Sequence, residues 1–180
     1  MSVGGFVGGP KGELDWMTWD WDDSIKKYVD DLHNTVDTIL LGRKMTDGFI
    51  NHWTNVLLKP DDLSFPFAKK MIDIPKVVFS KTLDKSSWVN TILAKGALAE
   101  EVNSLKNKPG KDIIVYGGAG FVSSLIKEGL IDEYLLFVNP AAMSSGMTIF
   151  GGLNNRMNFS LVKSIPFDCG IVLLHYEQKK

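Results

Sequence analysis

Apolar residues in this chain gather in short unbroken runs at 38–41, 77–79, 113–116 and 134–138, each bounded by turn-forming residues. None alternates strictly with polar residues, so the runs predict strands covered on both faces. A second period lies between them. Ile25, Tyr28, Val29, Leu32 and Val36 recur at three- and four-residue steps behind the candidate cap Asp23. Leu98, Val102 and Leu105, and then Phe121, Val122, Leu125 and Ile126, repeat that spacing, which predicts amphipathic helices. Strands alternating with helices imply right-handed crossovers and a largely parallel sheet covered on both sides. Near the C-terminus, runs at 159–165 and 171–176 are separated only by Pro166, Phe167, Asp168, Cys169 and Gly170. That connection predicts an antiparallel hairpin and hence a mixed sheet. Residues 55–74, with Pro60 and Pro66 inside and Pro75 beyond, read as a long surface loop with a helical piece at 67–71.

Composition narrows the class. A chain of 180 residues with 44% hydrophobic and 23% charged residues is an ordinary globular protein of one domain. A net charge of -1 provides no global attraction for nucleic acid or an anionic membrane, so any anion site must be local. The lone Cys169 excludes an intrachain disulfide framework. With no signal-peptide pattern and no apolar run approaching the ~20 residues that span a bilayer, a cytoplasmic location is expected. Trp16, Trp19 and Trp21 crowd one stretch, as the wall of a planar ligand's pocket or as a cap on the core.

Several chemistries are excluded by their missing motifs. The chain has no G-x-S-x-G, no H-E-x-x-H, no cysteine pair and no phosphate loop ending in Gly-Lys-Ser/Thr, and no metal site is expected. His33, His52 and His175 are widely separated and read as structural. What remains is chemistry in which a cofactor supplies the reactive atom. Tyr116, Gly117, Gly118, Ala119 and Gly120 follow a buried strand and open a helix, a geometry that accepts a diphosphate or simply starts the helix. It is not a Rossmann fingerprint, because Ser123 stands at the third glycine and Asp132 and Glu133 precede their strand. Gly42, Arg43 and Lys44 follow the first buried run, and Ser80, Lys81 and Thr82 follow the second. Ligands in open parallel sheets bind beyond the carboxyl ends of strands. Three adjacent strand ends would therefore gather cations, hydroxyls and a helix N-terminus for a nucleotide, with Arg43 and Lys44 on an extra phosphate.

The chain resembles the dihydrofolate-reductase-like superfamily, and within it the reductase domain of bifunctional riboflavin-biosynthesis deaminase/reductases. The resemblance rests on Ser2 to Val7 with Gly8, Pro10, Gly12, Glu13, Leu14, Asp15 and Trp16, then Leu41-Gly42-Arg43, Phe79 through Leu83, and Tyr116-Gly117-Gly118. Leu130 through Tyr134 and Pro140 through Gly146 to Phe150 complete it. It implies a three-layer α/β fold, NADPH as cofactor, a small-molecule substrate and a homodimer. It also implies a 5-amino-6-(5-phosphoribosylamino)uracil reductase type of activity, with dihydrofolate reductase or a non-catalytic dinucleotide-binding relative as alternatives. By matching motifs, Gly42, Arg43, Lys44 and Met45 would face the adenosine 2'-phosphate, and Ser80, Lys81 and Thr82 the adenosine end. Gly117, Gly118, Ala119, Gly120, Phe121 and Val122, led by Tyr116, would hold the diphosphate. Trp16 and Phe150 would line the substrate.

The chain departs from that family at three places. Gly4 stands where relatives carry an acidic residue, Met45 stands where they carry threonine, with Thr46 able to compensate, and the usual first strand is expected to be missing ahead of Met1. Asp15, in its aromatic stretch, is the expected proton donor, burial raising its pKa, with a water on Asp15 or Asp20 as the other route. Asp22 and Asp23 read as helix caps.

Overall fold

The computed structural model describes residues 1–179. In chain order the elements are β1 (Phe6–Gly8), α1 (Asp23–Asn34), β2 (Val36–Gly42), α2 (Arg43–Leu57), α3 (Phe65–Asp73), β3 (Lys76–Phe79) and β4 (Thr91–Ala94). There follow α4 (Leu98–Lys106), β5 (Asp112–Val115), α5 (Ala119–Lys127), β6 (Glu133–Val138), β7 (Met147–Thr148), β8 (Phe159–Pro166) and β9 (Val172–Gln178). The chain divides into two compact units, Asp30–Phe121 and the residues before and after it. Among the described residues no helix is long and apolar enough to cross a membrane.

The unit Asp30–Phe121 is built on a four-stranded parallel sheet in the order β4-β3-β2-β5. Ile39, Leu40 and Leu41 of β2 are all buried. Consecutive strand residues point to opposite faces, so both faces of β2 meet apolar cover, as the unbroken run requires. Ile39, Leu41, Phe49, Ile50, Met71 and Val78 form the core, with Met45, Trp53 and Phe67 packed on it. Met45, Phe49, Ile50 and Trp53 are the inner stripe of α2, a 15-residue helix that the sequence reading left unassigned. The loop expected at 55–74 shrinks to the residues between Leu57, where α2 ends, and Phe65, where α3 begins, and the helical piece expected at 67–71 is the middle of α3. Pro66 lies in the first turn of α3, where its missing N–H breaks no helical bond, so it starts the helix instead of interrupting it.

Lys76 closes that helix from the strand that follows. Its side chain is fully buried, and its Nζ donates to the carbonyls of Ile72 at 2.7 Å and Ile74 at 2.6 Å. Cations suit a helix C-terminus. Burial nevertheless pulls the ammonium down from its ordinary 10.5 to about 8, opposed by the nearby Asp73.

In the second unit β6, β9 and β8 form an antiparallel sheet in that order, and β1 pairs with β7. The expected hairpin is β8 and β9, with Pro166 opposite Val172. Parallel and antiparallel strands are thus both present, in separate sheets. Ile126, Tyr134 and Ile149 form an apolar cluster in this unit, with Phe150, Phe159 and Tyr176 packed on it. The Met1 amine donates to the Phe137 carbonyl at 2.5 Å, and the Met1 carbonyl accepts from the Asn139 amide at 2.7 Å. The cap of α1 is Asp22 rather than Asp23. Its Oδ1 accepts from the amides of Ser24 at 2.8 Å and Ile25 at 3.0 Å, and its Oδ2 accepts from the Cys169 amide at 2.9 Å. The Ser24 hydroxyl, which also donates to Oδ1, and then the Ile25 and Cys169 amides hold the Asp22 carboxyl well below the usual carboxylate range.

Two measurements test this packing. A Cβ at Gly42 would stand 2.9 Å from Phe121 Cβ and 3.3 Å from the Gly118 amide nitrogen. Gly42→Ala is expected to cost about 1–3 kcal/mol in urea unfolding, and an unchanged midpoint would contradict the close approach. For Lys76, the folded pKa lies below the unfolded one, so the unfolded chain binds more protons between pH 8 and 10.5. Stability of the native protein relative to Lys76→Met is therefore expected to rise with pH across that window. Parallel pH curves for the two proteins would show that the lysine is not desolvated.

Candidate functional site

Strands β3, β2 and β5 end side by side, with Gly42 registered against Phe79 and Leu40 against Val115. Just beyond those ends the Gly42 amide donates to the Gly117 carbonyl at 2.9 Å, and the rings of Phe79 and Phe121 meet at 5.0 Å. The three turns singled out in the sequence therefore do share one crest. Gly117 has φ +118°, a conformation that side chains rarely tolerate, and the peptide between Gly117 and Gly118 is cis. A Cβ added at Gly118 or Gly120 would meet nothing within 4 Å, so the turn is open where the first turn of α5 begins. An open glycine turn at the positive end of a helix suits a phosphate.

The residues below the turn hold it in place. Tyr116 pairs its hydroxyl with His33 Nε2, stacks on the His33 ring at 5.7 Å and meets Phe49 at 5.4 Å. Burial pushes the Tyr116 phenol well above its ordinary range. Tyr116 is thus an anchor of the turn, and His33 is its partner across 83 residues of sequence. The Met45 sulfur lies 3.2 Å from the point a Gly117 Cβ would occupy, so Met45 packs against the turn.

Beside the turn, α2 starts with two cations, Arg43 and Lys44, and no acidic residue in its first turn. A helix N-terminus disfavours cations. Arg43 Nη1 donates to Asp47 Oδ2 at 3.0 Å, and its guanidinium carbon lies 5.1 Å from the centre of the Trp88 ring. Trp88 Nε1 donates to the other Asp47 oxygen at 3.0 Å. Asp47 and Trp88 belong to the site by this geometry, and the sequence reading missed both.

On the third strand end Ser80 is buried, and its hydroxyl accepts from the amides of Thr82 at 3.3 Å and Leu83 at 3.2 Å. That hydroxyl shapes the turn; Lys81 and Thr82 are exposed beside it. Thr46 does not stand in for a threonine at position 45. It is fully buried, and its hydroxyl donates to the Gly42 carbonyl at 3.1 Å, which spends its proton inside α2.

Asp15, Trp16 and Phe150 belong to the other unit. Asp15 is exposed in a turn, so the burial expected of it is absent. Trp16 is half-buried, its indole donating to the Glu13 carbonyl at 3.0 Å, and Phe150 packs with Tyr134 and Phe159 at 6.1 Å each. The other two histidines are engaged, His52 edge-on against Trp53 at 4.6 Å and His175 with Glu133 at 2.7 Å. Among the described residues no group of three or more His, Cys, Asp or Glu could hold a metal ion.

Known proteins resemble this chain in sequence and in fold. The chain is 33% identical to the uncharacterized protein YyaP of Bacillus subtilis over 181 residues, covering 98% of this chain and 90% of that one. In solved structures the fold matches a Shewanella sp. PV-4 protein named for riboflavin biosynthesis with a TM-score of 0.73 and 22% identity, over 100% of this chain and 96% of that one. It matches the Thermotoga maritima diaminohydroxyphosphoribosylaminopyrimidine deaminase/5-amino-6-(5-phosphoribosylamino)uracil reductase at 0.66 and 14% identity, over 99% of this chain and 54% of that longer one. It also matches the Enterococcus faecalis dihydrofolate reductase complexed with NADP(H) at 0.61 and 16% identity, over 100% and 93%. The fold is accordingly that of dihydrofolate reductase. The RibD C-terminal domain model matches residues 1–173, and the chain belongs to that family.

Proposed function

We propose that this protein is an NADPH-dependent reductase that delivers a hydride to a small heterocyclic, carbonyl or imine substrate, of the 5-amino-6-(5-phosphoribosylamino)uracil reductase type. The observation that carries the reading is the crest where Gly42 bonds Gly117 beside an open glycine turn and a doubly cationic helix start. The names of the structural relatives, one a uracil reductase and one a reductase in complex with NADP(H), point the same way.

In this reading Gly117, Gly118, Ala119, Gly120, Phe121 and Val122 hold the diphosphate through backbone and helix end, with no side chain in the way. Arg43 and Lys44 meet the phosphate ester on the ribose, Arg43 through its planar fork. The exposed Lys81 and Thr82 border the adenosine end. When bound, the dihydronicotinamide supplies the hydride. Trp16 and Phe150 contribute apolar walls for the substrate, and the exposed Asp15 relays the proton from solvent that completes the reduced product. The exposure of Asp15 is also the observation that favours a second reading, a dinucleotide-binding protein without turnover.

Calorimetric titration with NADPH and NADH tests the cofactor site. Arg43→Ala is expected to weaken NADPH about tenfold and NADH less than twofold, since it removes one charge-assisted phosphate contact. Equal losses for both dinucleotides would contradict the phosphate assignment. A screen of pyrimidine and pterin substrates under NADPH oxidation separates the two readings, with turnover expected for a ribosylamino-pyrimidine. Tight NADPH binding without turnover of any substrate would support the second.

A further inference from the structure

Arg43 opens α2, and its acidic partner Asp47 follows four residues later. That order is the unfavourable one for a helix, because the cation sits at the positive end and the anion further along. Both side chains are also well exposed, 38% and 58%, where such pairs contribute little to stability. The pair is therefore poorly explained as a helix stabiliser. Its geometry has a third member. Trp88, in the loop between β3 and β4, gives its indole N–H to Asp47 Oδ1 while Arg43 uses Asp47 Oδ2, and the guanidinium lies over the Trp88 ring. Each of the three side chains touches the other two. Hydrogen bonds from Arg43 first and Trp88 second hold the Asp47 carboxyl below its ordinary range, so it stays an acceptor for both.

The loop side of this clamp is fixed independently. The Trp88 amide donates to Ser86 Oγ at 3.2 Å, and the Trp88 ring packs on the core of the parallel sheet. A half-buried ring anchored in the core is a rigid floor under a flexible side chain. Asp47 engages the Nη1 edge of the guanidinium, and the fork has five N–H donors in all. A free arginine loses rotamer entropy when it grips an anion, and a pre-set one loses less.

We propose that Trp88, tied to Arg43 through Asp47, is a positioning residue that sets the guanidinium for a phosphate monoester on the ribose and so determines the preference for NADPH over NADH. The inference rests on the cofactor reading above. It adds that discrimination depends on a loop 45 residues beyond the cation, in a side chain that itself touches no phosphate.

A double-mutant cycle tests it, read by calorimetric titration with NADPH, NADH and adenosine 2',5'-bisphosphate. In the native background Trp88→Leu is expected to weaken NADPH and the bisphosphate about fivefold, with NADH within twofold. In the Arg43→Ala background the same substitution should change neither phosphorylated ligand by more than about twofold, because its effect runs through Arg43. Trp88→Phe, which keeps the ring face and removes the N–H, should retain part of the preference and serves if the leucine variant does not fold. Equal weakening of NADPH and NADH, or an undiminished loss in the Arg43→Ala background, would overturn the inference while leaving the cofactor reading intact. Failure of the native protein to bind any of the three ligands would overturn both.

Discussion

Parallel strands that end side by side leave their last backbone groups facing whatever follows, and in this chain the Gly42 amide meets the Gly117 carbonyl at 2.9 Å. That bond is possible because neither residue carries a side chain. A Cβ at Gly42 would collide with Phe121, and one at Gly117 would strain a backbone at φ +118° and press on Met45. The glycine turn is thereby locked to the end of β2, with Tyr116 anchored below it by His33. Everything proposed for the site depends on this lock. It fixes the start of α5 beside the start of α2, so that an open turn adjoins a helix start that carries two cations.

The helix itself compensates the positive charge of that crest only in part. Arg43 and Lys44 stand in the first turn of α2 with no acidic residue among the first-turn positions, and Asp47 answers Arg43 alone. Cations at the positive end of a helix cost some stability in the absence of an anion. A bound phosphate reverses the sign of that local balance. With a net charge of only -1, the protein as a whole adds no long-range attraction for an anion to that local balance.

Much of this was legible in the sequence where the signal was local. The unbroken apolar runs marked β2, β3, β5 and β6, because a strand covered on both faces needs no polar alternation. The three turns could be placed at strand ends for the same reason. What was lost had two causes. The helix α2 carries its signal at Met45, Phe49, Ile50 and Trp53, but Gly42, Arg43 and Lys44 were read as a turn and the prolines beyond as a loop. The clamp partners were invisible for a different reason. Trp88 meets Asp47 across 41 residues and His33 meets Tyr116 across 83, so no period or spacing announces either pair. Asp15 shows the converse failure, since aromatic neighbours in sequence implied a burial that the turn does not provide.

The central claim is that the crest at the ends of β2, β3 and β5 is a dinucleotide site. Backbone amide spectra of isotope-labelled protein, recorded as NADPH is added, test it most directly. Saturable shifts confined first to Arg43, Lys44 and Gly117 through Phe121 are predicted. Saturation with those amides unmoved, or shifts centred on another surface, would contradict it.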